Sequence, residues 1–154
     1  TGGMLPFPPP DPERAADFAR FGRLALSPDP GDRLQAARGV VTGMAAAPVD
    51  RAVIDREVAA MLSVTPSVRK AMAGRALDNS DLLNRLSMPV LFTVGDQDGT
   101  ASIEGVSSLV DQLPNARMSI YQDTGHLLFI ERRERFNEEL ADFVADLLEG
   151  DDDG

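Results

Sequence analysis

The chain has 154 residues, 43% of them apolar and 26% charged, one globular domain's worth and enough to bury roughly 70% of its unfolded surface. Its net charge of −10, from 15 basic and 25 acidic residues with no basic stripe, speaks against nucleic-acid binding, because a polyanion is repelled by that field. Zero cysteines and one histidine leave no disulfide, no thiolate nucleophile and no ligand set for a dedicated zinc site, so neither metal nor cofactor is expected.

The opening stretch "TGGMLPFPPPDP" is irregular, since three consecutive prolines forbid both helix and central strand. It holds no basic segment followed by an apolar one, and no window reaches about 18 consecutive apolar residues; neither a secretion signal nor a membrane span is therefore expected. With the lack of cysteine this points to a cytoplasmic protein. Residues 1–86 read as helices separated by proline. Asp11 caps a first helix with Pro12 at its first position, and Phe18, Phe21 and Leu24 share one face. "PDPGD" stops it, and Asp32 starts the next, "RLQAARGVVTGMAAA". Pro48 opens a third, carrying Val49, Val53, Ile54, Val58 and Met61, and Thr65-Pro66 repeats the cap-then-proline device for a fourth. "NSDLLNRL" makes a short fifth.

From Met88 the pattern changes. "PVLFTVG" is a continuous apolar run ending at glycine, as in a strand buried on both faces of a parallel sheet. "SIEGVSSLVDQL" spaces Val106, Leu109, Val110 and Leu113 along one helical face, and "ARMSIYQ" is a second, weaker strand. The last helix, "RERFNEELADFVADLLEG", turns Phe136, Leu140, Phe143, Val144 and Leu147 inward, and an acidic tail, residues 151–154, follows. Strand, helix, strand, helix over residues 87–150 makes an α/β unit with two parallel strands covered by helices.

Functional groups in such a sheet gather at the carboxyl ends of its strands. The first strand ends "GDQDG", offering Asp96 and Asp98; the second ends "QDTGH", offering Asp123 and His126. Neighbouring strands lie about 4.8 Å apart, so a carboxylate and an imidazole at adjacent ends can meet. A carboxylate bonded to one ring nitrogen fixes the tautomer and leaves the other to act as base. Asp-Gly is also a favoured turn pair, and Asp123 reads as an Asx-type turn residue.

"MPVLFTVGDQD", a helix and "LPNARMSIYQDTGHLLFIERRERFNEELADFV" together resemble the C-terminal end of an α/β-hydrolase over about residues 86–148. The family pattern is a strand closing on G-x-x-D, a helix, a P-x-A element, a strand, then G-H and a terminal helix. The resemblance implies that Asp98, three after Gly95, is the acid of a triad and His126 its base. On the residues alone Asp96 is the rival for the acid role, with holding the turn through loop backbone as its other reading, and Glu131 reads as an anchor of the last helix through nearby backbone. It implies that residues 1–86 are an all-helical cap, with "LDNSDLLNRLSMPVL" as its exit. Phe18, Phe21, Met44, Met61 and Met72 are then candidates to line a pocket for a small, largely apolar substrate, since thioethers suit such surfaces, and helix-face packing explains the same residues equally well. The family nucleophile sits in a G-x-S-x-G elbow upstream of the acid, and none of the nine serines here stands in that motif. The implied protein hydrolyses an ester or acyl substrate with a serine supplied by an N-terminal half. Epoxide hydrolases and dehalogenases keep the same acid and histidine with an aspartate nucleophile. A non-catalytic module that pairs with that half or with another copy of the chain is the reading of a different class, because a strand such as "VLFTV" exposed at an edge invites association.

Overall fold

A computed structural model of the chain describes residues 12–73, 83 and 85–150. Four helices come first: α1 (Pro12–Ala25), α2 (Pro30–Gly43), α3 (Arg51–Ser63) and α4 (Pro66–Ala73). Then follow β1 (Val90–Gly95), α5 (Ile103–Val110), β2 (Ala116–Tyr121), a short α6 (Leu128–Glu131) and the long α7 (Arg133–Gly150). The two strands are parallel and in register from Val90 beside Ala116 to Gly95 beside Tyr121, with α5 as the crossover. Among the described residues no helix is long and apolar enough to cross a membrane.

The caps explain where the helices start, and they correct two expected starts. Asp29, not Asp32, caps α2: its carboxylate accepts from the Gly31 amide at 2.7 Å, and Pro30 takes the first helical position. Asp32 lies within the first turn and accepts from the Ser27 hydroxyl at 2.6 Å. Pro48 likewise lies before α3, which Asp50 caps by accepting from the Ala52 amide at 2.7 Å. The Thr65-Pro66 start of α4 is as expected. Asp11 and the "NSDLLNRL" segment fall outside the described residues except for Leu83, which is buried, and Arg85 and Leu86.

Two apolar clusters hold the parts together. Ala37, Val41 and Val58 of α2 and α3 pack with Leu127, supported by Met44, Ile54, Met61 and Ile130. The second joins Leu83, Leu109 and Leu113 to Leu86, Val90, Phe92 and Ala116. Leu127 is the buried apolar link between the two halves in the first cluster: burying a leucine stabilises by about 2 kcal/mol, and here that ties the loop after β2 to the helical segment.

β1 is not buried on both faces. Val90 to Thr93 are half-buried, and only Val94 and Gly95 are fully covered. On α7, Phe136, Phe143 and Leu147 are half-buried, but Leu140 and Val144 are 45% and 47% exposed rather than turned inward. Both departures share a cause. A two-stranded sheet offers too little surface to cover a five-turn helix or to be covered on both sides.

Candidate active site

Gly95 and Tyr121 close the two strands side by side, and the loops leaving them are zipped together. The Asp96 amide donates to the Tyr121 carbonyl at 3.0 Å and the Gln97 amide to the Thr124 carbonyl at 3.0 Å. The Asp96 carboxylate in turn accepts from the Thr124 amide at 3.2 Å. Asp96 therefore holds the turn through backbone, and Asp98 is left to face the histidine. The close fit requires glycine at position 95, where a Cβ would fall 2.1 Å from the Thr124 carbonyl oxygen.

The two loops bring Asp98 and His126 together. Asp98 Oδ2 lies 2.8 Å from His126 Nδ1, and the Asp98 side chain is only 3% exposed. Its other oxygen accepts from the Thr100 amide at 2.7 Å, the Thr100 hydroxyl at 2.7 Å and the Ala101 amide at 3.1 Å. Burial opposes ionisation of Asp98, but the bonds from His126, Thr100 and Ala101 outweigh it and hold the carboxyl below its usual range. An ionised carboxylate can only accept, so Nδ1 carries the proton in the neutral ring. Thr100 Oγ1, 2.6 Å from Nδ1, fits the same arrangement by donating to Asp98 and sharing the Nδ1 proton. Nε2 has no partner among the described residues, and the ring is 43% exposed. The arrangement presents an unprotonated ring nitrogen to solvent, backed by a buried charge.

The bond to Asp98 raises the His126 pKa, against the opposing effect of burial and with the help of the Asp98 charge. Two opposite pH dependences follow. The raised histidine contributes stability that is complete below its unfolded pKa of about 6.5 and is lost as pH rises through the folded value. The lowered aspartate contributes stability that is present above about 3.8 and is lost as pH falls through its folded value. Urea unfolding should therefore show the pair's full contribution between about pH 4 and 6.5. His126→Gln should remove the loss above pH 6.5; an unchanged pH profile in that variant would contradict the pairing.

The turn and backbone roles expected at Asp98, Asp123 and Glu131 are met in part. Asp98 itself makes an Asx turn onto Thr100, a spacing visible as Asp-Gly-Thr. Asp123 does turn the chain, but by adopting a left-handed backbone (φ 50°) rather than by an Asx bond; among the described residues its side chain bonds to Gln97, at 3.5 Å. Glu131 is not confined to nearby backbone. Its carboxylate accepts from Gly125, six residues away, and from Ala46 and Ala47 in the α2–α3 turn.

Of the five expected pocket residues, two come together. Phe21 and Met44 line a cavity of about 90 Å³ with Asp17, Gly43, Gly99 and Thr100, next to the Asp98–His126 pair. Met61 instead packs on the apolar cluster of α2 and α3. Met72 is 64% exposed on α4, which turns that position to solvent, and it does not join the cavity. The Phe18 side chain lies outside what the structure describes. Among the described residues no three His, Asp or Glu side chains cluster as metal ligands.

Residues 60–133 match the family model of the alpha/beta hydrolase fold. The chain is 33% identical over 69 residues to a pimeloyl-[acyl-carrier protein] methyl ester esterase of Vibrio campbellii, a match covering 45% of this chain and 27% of that protein. It is 32% identical over 65 residues to a proline iminopeptidase of Lactobacillus delbrueckii, covering 42% and 22%. In three dimensions it superposes on an esterase from a Rhodococcus species with a TM-score of 0.74 at 24% identity, covering 84% of this chain and 47% of that one. The chain thus spans about half the length of the solved chain it matches, and the aligned stretches about a quarter of the curated relatives.

Proposed function

Starting from a chain of the α/β-hydrolase fold family, we propose that it supplies the acid and the base of a hydrolase acting on a small, largely apolar ester or acyl substrate. The observation that carries this is the 2.8 Å bond between a buried, ionised Asp98 and a histidine whose other ring nitrogen is open. In this reading Nε2 of His126 takes the proton of a serine hydroxyl as it attacks the substrate carbonyl, and Asp98 stabilises the imidazolium that forms. His126 then returns the proton to the leaving group and activates the water that cleaves the acyl-enzyme. The small cavity beside Thr100, with Phe21 and Met44 on its wall, supports an apolar group next to the reacting carbonyl. Helices α1–α4 would be the cap over it.

The serine would come from an N-terminal half, since no G-x-S-x-G elbow occurs in the sequence. The half-buried β1 and the exposed Leu140 and Val144 favour further sheet against this face, from that half or from another copy of the chain. Treating the natively expressed protein with a fluorophosphonate and measuring intact mass tests the reading. An adduct on a species heavier than 16.5 kDa, or on a partner that copurifies with the chain, is the expected result. An unlabelled species of that mass with no partner would remove the serine-hydrolase reading and leave the non-catalytic module.

A further inference from the structure

The histidine is held by more than its aspartate. Its own amide donates to the Met44 carbonyl at 2.7 Å, so the backbone of the catalytic loop is bonded to the end of α2. The preceding residue, Gly125, lies so close to the same turn that a Cβ there would meet the Met44 carbonyl oxygen at 2.4 Å and the Ala46 nitrogen at 2.7 Å. One side chain joins the two backbones across this contact. Glu131 Oε1 accepts from the Gly125 amide at 3.0 Å, and Oε2 accepts from the Ala46 amide at 2.9 Å and the Ala47 amide at 3.3 Å. Leu127, on the other side of His126, is buried against Ala37, Val41 and Val58 of α2 and α3.

We infer that Glu131 is a positioning residue for His126, whose carboxylate staples the α2–α3 turn to the backbone beneath the imidazole so that the helical segment and the histidine move as one. The proposal rests on the hydrolase reading only in giving His126 the part of a base; the staple itself is a matter of bonds. Both carboxylate oxygens are committed, one to each backbone, and charge-assisted bonds to amides are about twice as strong as neutral ones. A glutamine can serve only one side, because its NH2 group would face amide donors on the other. An aspartate keeps the charge but is shorter by one methylene, and it reaches one backbone only. The 85-residue separation between Ala46 and Glu131 gives the staple a consequence for catalysis. A shift of the helical segment is passed to the ring, and a displacement of about 1 Å at a reacting group can cost about 100-fold in rate.

The test uses the natively expressed protein, its Glu131→Gln and Glu131→Asp variants, and His126→Gln to identify the imidazole resonances. Nitrogen-15 NMR reads whether Nδ1 keeps its proton and where the ring titrates, and ester turnover reads kcat and KM against pH. Expected for Glu131→Gln is a lost or exchange-broadened Nδ1–H signal, a ring titration moved toward that of free histidine, and kcat lower by about 100-fold at nearly constant KM, with partial recovery in Glu131→Asp. A glutamine variant that retains the Nδ1–H signal, the titration and kcat overturns the proposal. Should the glutamine variant not fold, hydrogen exchange in the unaltered protein decides. Slow exchange at Gly125, Ala46 and Ala47 upholds the staple, and exchange at the rate of an open loop overturns it. Absence of ester turnover in the unaltered protein would remove the hydrolase reading alone, while the NMR and exchange results would still decide the staple.

Discussion

His126→Ala is expected to lower ester turnover by the natively expressed protein by about 10⁴-fold, and Asp98→Asn to come close to it. The two losses have different origins. Alanine removes the only imidazole in the sequence, the group that takes a proton near neutral pH. Asparagine leaves the imidazole in place and keeps an oxygen for the amides of Thr100 and Ala101. Its NH2 group, however, can donate to Nδ1, which moves the ring proton to Nε2 and leaves no lone pair for the nucleophile. The double variant should then be no worse than the alanine single, because both act on one proton path. Measuring kcat for the three variants tests this directly. Near-full activity in His126→Ala would remove the proposed base, and additive losses would separate the two residues.

Gly95→Ala should destabilise the fold by about 3 kcal/mol, the upper range for forcing an extra methyl into a packed site. The atoms a Cβ would meet are backbone, at 2.1, 2.4 and 2.6 Å, so no side chain can rotate out of the way. The strand ends must part, and the bonds that zip Asp96 and Gln97 to the second loop part with them. Gly22→Ala is the control. It lies in α1 with nothing within 4 Å of the added methyl, where alanine should gain about 0.5–1 kcal/mol over glycine. Urea unfolding of the two variants gives both numbers. A Gly95→Ala protein as stable as the parent would mean that the two loops are not in contact at that glycine.

How far the sequence could be read depended on the range of the interaction. The strand–helix–strand–helix order of residues 87–150 was readable because each element carries its own periodicity and the glycine ending β1 punctuates it. That a carboxylate could meet His126 was readable because parallel strands bring their ends together, but the choice of Asp98 over Asp96 came from the G-x-x-D spacing of the family pattern. Helix starts were readable to within two or three residues: where Asp29 and Asp32 both precede an apolar periodicity, only the amide actually bonded decides which one caps. The inward row of α7 was over-read, since periodicity marks the apolar face of a helix and says nothing of how much sheet is there to cover it. The bonding of Glu131 to nearby backbone was readable, but its reach to Ala46 and Ala47 was not. Its partners are amides, which every residue but proline carries, and they lie as far as 85 residues away.

The contact between Gly125 and the Met44 carbonyl restricts how this sequence can drift. Connections between helices ordinarily accept insertions and deletions, because they run over the surface and little depends on their length. Here the connection between α2 and α3 is seated against the glycine beside His126, with no room for even one methyl group. Lengthening residues 44–50 would push His126, and a larger residue at 125 would push α2. Diversification of the helical segment is therefore channelled to its far side, around α4 and the connection between α1 and α2, where a change of length leaves the Asp98–His126 pair where it is.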